Sequence, residues 1–219
     1  MRPLAEQTIV VTGATDGHGR ALAGELAAAG ATLALHGRDD TKGLATIRDL
    51  RERTGNDLTR SLLPVLVSSA PARIVNVSSA GQAPIDFDDV VLERGYDGVQ
   101  AYCQSKLAQV MLTIDLAEEL RGSGVTVNCL HPATFMPTKM VVAGGVQPIS
   151  TIEEGVEATM RLVAAPELDE VSGRYFNGEV EARPQRQAGD AGARRRLREL
   201  SDQLTGLATT RGRQIRGSP

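Results

Sequence analysis

The amino-acid sequence predicts an α/β fold, a parallel sheet with helices on both faces. Short β-branched runs alternate with Ala-, Leu- and Glu-rich stretches through most of the 219 residues, the pattern of repeated strand–helix–strand units. The first of these runs leads straight into a glycine-rich turn, Gly13 to Gly19, that opens the first helix. With 41% hydrophobic and 23% charged residues, the chain has enough apolar material for one well-formed core.

Thr8–Thr12 (Thr-Ile-Val-Val-Thr) is a buried-strand pattern. Arg20–Ala29 reads as a helix stopped by Gly30. Ala31–His36 is a second strand, and Thr41–Arg53 a helix ended by Gly55. Leu58–Val67 is helical in pattern, although Pro64 interrupts it. Arg73–Ser78 is a third strand. Ala80–Gln100 is mostly loop, with an acidic patch at Asp86, Asp88 and Asp89. Ala101–Arg121 is the longest helical pattern, Val125–Leu130 a fourth strand, and His131–Gln147 irregular. Ser150-x-x-Glu153 is a capping box starting a helix to about Ala165. Gly173–Gly178 is a short final strand. Residues 1–189 are expected to form one dinucleotide-binding-type domain. Residues 190–219 form a basic terminal helix, Ala193–Leu207, followed by a frayed end from Arg211 to Pro219.

Charge and composition exclude several function classes. Net charge is −3, so no global attraction to nucleic acid is expected. From Arg183 onward there are nine Arg against three Asp or Glu; this basic end reads as a solvated helix face, with an anionic partner as the alternative. No apolar run approaches the roughly 20 residues needed to span a bilayer. Met1–Gln7 lacks the charged-then-apolar shape of a secretory signal. Cys103 and Cys129 read as reduced thiols of a cytoplasmic protein. His18, His36 and His131 have no metal-ligand spacing, so no metal is expected.

The chemistry-bearing residues begin with Tyr102 and Lys106, four apart in a helical pattern and hence on one helix face. A phenol beside an ammonium is a proton-transfer device, because a nearby positive charge favours the phenolate. Lys is scarce in this chain, occurring only at Lys42, Lys106 and Lys139. The glycines of Thr12-Gly13-x-x-x-Gly17-x-Gly19 permit a tight turn, close approach of a diphosphate, and packing of the helix on the sheet. The first helix then directs its free N–H groups at the phosphates. His36-Gly37-Arg38-Asp39 ends the second strand, where an adenosine ribose would arrive. Arg38 suits a 2′-phosphate and favours NADP, with NAD as the alternative.

Together these segments resemble the short-chain dehydrogenase/reductase family, in its extended-loop, retinol dehydrogenase-like branch with a Rossmann-like fold. The carriers are Thr12-Gly-Ala-Thr-Asp-Gly-His-Gly19, Arg73-Ile-Val-Asn-Val-Ser-Ser79, Ala101-Tyr-Cys-Gln-Ser-Lys106 and Asn128-Cys-Leu-His-Pro132. The resemblance implies hydride transfer between NADP and a small carbonyl or alcohol substrate. Tyr102 would be the acid or base. Lys106 would favour its phenolate and hold the nicotinamide ribose. Ser79 would orient the substrate oxygen. Gly13, Thr15, Asp16, Gly17, His18 and Gly19 would cradle the phosphates, and Pro132 and Thr134 would lie beside the nicotinamide. The family pattern also implies a homo-oligomer. Pro132-Ala133 stands where the family has Pro-Gly, and His18 where it has an aliphatic residue.

The largest departure is an absence. The family places two further strand–helix units, one ending in Asn-Asn-Ala-Gly, before the strand carrying Ser79. Here Thr54-Gly-Asn-Asp57 runs directly into Leu58-Thr-Arg-Ser-Leu-Leu-Pro64. A strand–helix–strand unit takes about 30 residues or more, so about two units' worth is missing. No residue is assigned the role of the family's catalytic Asn. Closing the gap by moving Arg73–Ser78 beside Thr8–Thr12 predicts a reduced strand order 2-1-5-6-7 in the family's strand names. The alternative to an active enzyme is a catalytically impaired nucleotide-binding or partner-dependent relative.

Overall fold

The protein is described by a computed structural model over residues 2–14, 16–36 and 58–205, with the side chains of 58–61 and 205 excepted. The helix expected over Thr41–Arg53, the candidate residues Thr15 and Arg38, and the terminal segment from 206 lie outside the described residues.

The β-branched run Thr8–Thr12 forms β1, the helix α1 spans Gly17–Ala28, and Thr32–His36 forms β2. β1 and β2 pair in parallel, with Thr8 opposite Thr32 and Thr12 opposite His36. Ile9 and Val11 of β1 and Leu33 of β2 face α1, where they join Leu22, Ala23 and Leu26.

A second sheet is built from β3 (Ala72–Val77), β4 (Val125–His131), β5 (Tyr175–Asn177) and β6 (Val180–Ala182). Its order is β3-β4-β5-β6. β3 pairs with β4 and β4 with β5 in parallel, while β5 and β6 form an antiparallel hairpin. β6 was not expected from its three-residue length. Its signal is the two-residue connection Gly178-Glu179, whose first position has φ +59° and which matches the glycine-first hairpin turns.

Helices cover both faces of this sheet. On one side lie α2 (Leu58–Ser68) and α3 (Gly98–Glu119), where Leu63, Leu66, Leu116 and Leu120 pack on Val125 and Val127. Packing of that apolar stripe supports α2 despite Pro64 inside it. On the other side lies α5 (Ile152–Ala164), whose Ala158 and Leu162 meet Val75, Val77, Leu130 and Phe176. The α3 helix starts at Gly98 because the Asp97 carboxylate accepts the N–H of Gln100 at 2.7 Å. The α5 capping box is Thr151 with Glu154, one residue beyond the predicted Ser150–Glu153 pair. Both spacings satisfy the motif; the helix start selects the second. A short helix α4 (Lys139–Ala143) interrupts the stretch expected to be irregular.

The terminal helix α6 (Ala191–Thr205) docks on α3 rather than standing free. Ala193 and Leu197 pack against the cluster of Ile85, Leu107, Val110 and Met111. Arg194, expected on a solvated face, is buried and bonds Asp115, Glu118 and the Ala188 carbonyl of the preceding turn.

The predicted join between the first strand and the strand leading to Ser79 is not formed. β1 and β3 belong to separate sheets, and among the described residues β1 pairs only with β2. The order 2-1-5-6-7 therefore holds only in its two halves. The physical reason is the helix layer. α1 is packed on α5 through Leu22, Leu26 and Val156, with Ile152, Met160 and Val163 alongside. Sliding β1 across to β3 would drag α1 off α5 and expose this cluster. The halves are thus joined by helix packing where an added ladder was expected. Val10 and Leu35 remain 43% and 44% exposed.

Candidate active site

The glycine turn follows from sequence constraints at three positions. Gly13 has φ +66° and Gly17 φ +50°, conformations that side chains other than glycine's strain to adopt. At Gly19 the constraint is space: a β-carbon there would lie 2.4 Å from the Gly13 carbonyl oxygen. The turn is anchored by the Ala14 N–H donating to the His36 carbonyl at 3.0 Å. Asp16 caps α1, its carboxylate accepting the Gly17 N–H at 2.9 Å.

His18 turns into the α1–α5 interface. Its Nε2 is 3.1 Å from the Thr159 hydroxyl, and its Nδ1 is buried without a protein partner. Burial pushes its pKa below the ordinary imidazole value of 6.5. The ring sits beside Gly155, where a β-carbon would meet it at 3.2 Å. The His18 side chain therefore packs at the base of the turn.

Burial likewise lowers the pKa of His131. Both imidazoles resist protonation when folded and accept protons when unfolded. The unfolded state then binds more protons below about pH 6.5, so stability falls with decreasing pH. A lower urea midpoint is expected at about pH 5.5 than at about pH 7.5, with a smaller difference in His18→Leu. Equal midpoints for the wild type would refute it. The carboxylates with lowered pKa values, Asp89 and Asp169, titrate below their ordinary 3.8 and lie outside this window.

Ser79, Tyr102 and Lys106 form a second group at the carboxyl end of β3. Ser79 is buried. Its hydroxyl accepts the Gly81 N–H at 3.1 Å, and its carbonyl accepts from Gln82 Nε2 at 2.8 Å and the Tyr175 hydroxyl at 3.1 Å. Tyr102 lies on the first turns of α3. A β-carbon on Gly81 would lie 3.6 Å from Ser79 Oγ and 3.7 Å from Tyr102 Cε1, so both side chains converge on this one glycine. Lys106 Nζ sits 5.5 Å from the centre of the Tyr102 ring and donates to Gln109 Oε1 at 3.0 Å and the Val77 carbonyl at 3.3 Å. Burial lowers the Lys106 pKa from its usual value. The Ser78 hydroxyl, donating to the Lys106 carbonyl at 2.8 Å, ties the end of β3 to α3. Strand end and helix therefore hold one local geometry.

Gly81, Gln109 and Tyr175 were not singled out from the sequence. Only Gln109 had a signal, standing one helical turn after Lys106. Asn76 is engaged elsewhere, donating to the Thr113 hydroxyl at 2.9 Å. Cys129 is free, and its burial pushes the thiol pKa up to about 12, so it is inert at neutral pH.

Pro132 and Thr134 follow the adjacent strand β4. The Thr134 hydroxyl is 2.9 Å from His131 Nε2, and with Glu154 and Glu157 these residues line a cleft of about 430 Å³. A cleft of about 850 Å³ lies at the other end of the sheet, between Pro71, Gly124 and Gly173, away from the carboxyl strand ends where open α/β sheets bind ligands. Among the described residues no group of His, Cys, Asp or Glu could hold a metal, and no helix is long and apolar enough to cross a membrane.

The structure thus holds a glycine turn between a strand and a helix, and a Ser–Tyr–Lys group at the end of a parallel strand. Residues 55–145 match the short chain dehydrogenase family model. Retinol dehydrogenase 13 of Mus musculus is 39% identical over 177 residues, 73% of this chain and 53% of its own. Retinol dehydrogenase 11 of Homo sapiens is 28% identical over 277 aligned positions, covering 93% of this chain and 87% of its own. That alignment has more positions than this chain has residues, as an internal deletion requires. A short chain dehydrogenase structure from Shigella flexneri, complexed with NADP, superposes with a TM-score of 0.60 at 21% identity, over 80% of this chain and 97% of that one. Residues 55–145 thus belong to the short chain dehydrogenase family, and the chain is homologous to its retinol dehydrogenase branch. It spans about half the length of the first curated relatives it matches.

Proposed function

We propose that this chain is an NADP-preferring oxidoreductase interconverting a carbonyl and an alcohol, with Tyr102 as the acid–base group. The observation that carries the reading is the convergence of Ser79 Oγ and the Tyr102 ring on Gly81, with the Lys106 ammonium behind the ring. A dinucleotide fits the glycine turn: Gly19 leaves no room for a side chain, and Gly13 and Gly17 hold the backbone conformations of a close-approach loop. Gly13, Asp16, Gly17 and Gly19, with Thr15, would receive its phosphates, Arg38 its 2′-phosphate, and Pro132 and Thr134 its nicotinamide. His18 would join them, with its side chain packed beneath the turn.

The bound nicotinamide would supply or accept the hydride. Ser79, whose hydroxyl accepts the Gly81 N–H, would donate its own hydrogen to the substrate oxygen. In reduction the Tyr102 hydroxyl would pass its proton to that oxygen; in oxidation the phenolate would take it back. Lys106 would hold the phenolate electrostatically and reach the nicotinamide ribose.

A second reading, a nucleotide-binding or partner-dependent relative without turnover, is favoured by the separation of β1 from β3 and the absence of Asn-Asn-Ala-Gly. Thermal unfolding with NADPH and with NADH separates the two when followed by turnover of a carbonyl panel. At a hundredfold excess over Kd a ligand adds about 2.7 kcal/mol of stability, so a clear upward shift, larger with NADPH at equal concentration, is expected. No shift with either would sink the enzyme reading. A shift without turnover would favour the second.

A further inference from the structure

We propose that Lys139 is the cation that receives the dinucleotide's diphosphate, and that Asp16 holds its place at the turn until the diphosphate arrives. This rests on the nucleotide-binding reading above. The Asp16 carboxylate occupies the anion position of the glycine turn: one oxygen accepts the Gly17 N–H at 2.9 Å, the first donor of α1. Helix starts after such turns direct these N–H groups at phosphate, so an aspartate there places a negative charge where another must come. The other Asp16 oxygen is paired with Lys139 Nζ from α4.

The pairing is seated by packing as well as charge. The Thr138 methyl lies 3.3 Å from where a Gly17 β-carbon would be, and Met136 Sδ lies 2.4 Å from the β-carbon position of Gly155. The segment ahead of α4 thus rests through Thr138 on Gly17 of the turn and through Met136 on Gly155 of α5, and it delivers Lys139 to the mouth of the turn.

The ion pair is open to water, with the Lys139 side chain 75% and the Asp16 side chain 51% exposed. An exposed pair of this kind contributes little to stability, so exchanging the carboxylate for a diphosphate costs little. The residue type suits exchange. This chain uses Arg for nearly all its cations, with Lys only at positions 42, 106 and 139. A compact ammonium on a flexible stem can transfer between two anions without the fixed fork geometry of a guanidinium. Without Lys139, Asp16 would repel the ligand.

Dissociation constants for NADPH and NADH, measured by nucleotide fluorescence at two salt concentrations, test this. In Lys139→Met both ligands are expected to bind about tenfold more weakly, with a shallower salt dependence. Asp16→Asn in the Lys139→Met background should recover part of that loss, and Lys139→Arg should retain most of the affinity. An equal loss for both nucleotides is required, because the diphosphate is common to them. A Lys139→Met protein of unchanged melting temperature that binds both within about twofold of wild type, or that loses only NADPH, would overturn the assignment. Wild-type protein binding neither nucleotide would remove the nucleotide reading together with this one. Wild-type binding with an indifferent Lys139→Met would remove only this one.

Discussion

Tyr102→Phe should lower turnover at least about a hundredfold while leaving dinucleotide affinity within about twofold, the loss expected when a general acid–base group is deleted. The substitution removes one oxygen and keeps the ring. The contacts that seat the ring, with Gly81 on one side and the Lys106 ammonium 5.5 Å from its centre, involve the ring and not the hydroxyl. Fold and nucleotide site should therefore survive, and melting temperature should barely change. Steady-state rates with a turned-over carbonyl and nucleotide titration of the same preparation decide it. Turnover within about threefold of wild type would take Tyr102 out of the acid–base role.

The second large effect concerns stability. Arg194→Met is expected to cost about 3 kcal/mol, because it leaves the buried Asp115 carboxylate without its main partner. Arg194 Nε lies 2.8 Å from Asp115, and its terminal nitrogens reach Glu118 at 2.9 Å and the Ala188 carbonyl at 3.1 Å. Arg198, 3.6 Å from Asp115, is a weaker substitute. If the cost is that of a stranded charge, adding Asp115→Leu should recover most of it, since apolar replacement of a buried pair is often close to neutral. Urea unfolding of the single and double variants measures both. A single-variant loss below about 1 kcal/mol would show the contact to be merely superficial.

Arg194 also marks a boundary of what sequence shows. A run of arginines at the end of a chain has the composition of a solvated face, and nothing in the run distinguishes the residue that turns inward. Its burial depends on Asp115, 79 positions earlier in the chain. The local features were legible for the opposite reason. Tyr102 and Lys106 share a face because of helical spacing, and the glycines of the turn are demanded by backbone angles and space within a few residues. Strand and helix positions followed from apolar periodicity to within a few residues, as at β4 and α5. Where two local solutions were equally good, as with Ser150 and Thr151 as caps, sequence offered both. The strand order failed at long range: whether β1 would close on β3 depended on the grip between α1 and α5. That grip is made by side chains far apart in sequence, including the His18–Thr159 contact at 3.1 Å.

That grip has a consequence for cooperativity. In a continuous sheet, hydrogen-bonded ladders bind every strand into one unfolding unit. Among the described residues here, the β1–α1–β2 segment adheres to the rest through a helix–helix seam and a few polar contacts from its turn. Such a seam can part while β3 to β6 keep their ladders, so the β1–α1–β2 half is set to open as a foldon of its own, below the global unfolding free energy. A ligand that bridges the turn and the Ser79 cluster would then act as the missing cross-link, and amide hydrogen exchange in β1 and β2 would slow far more on binding than exchange in β4.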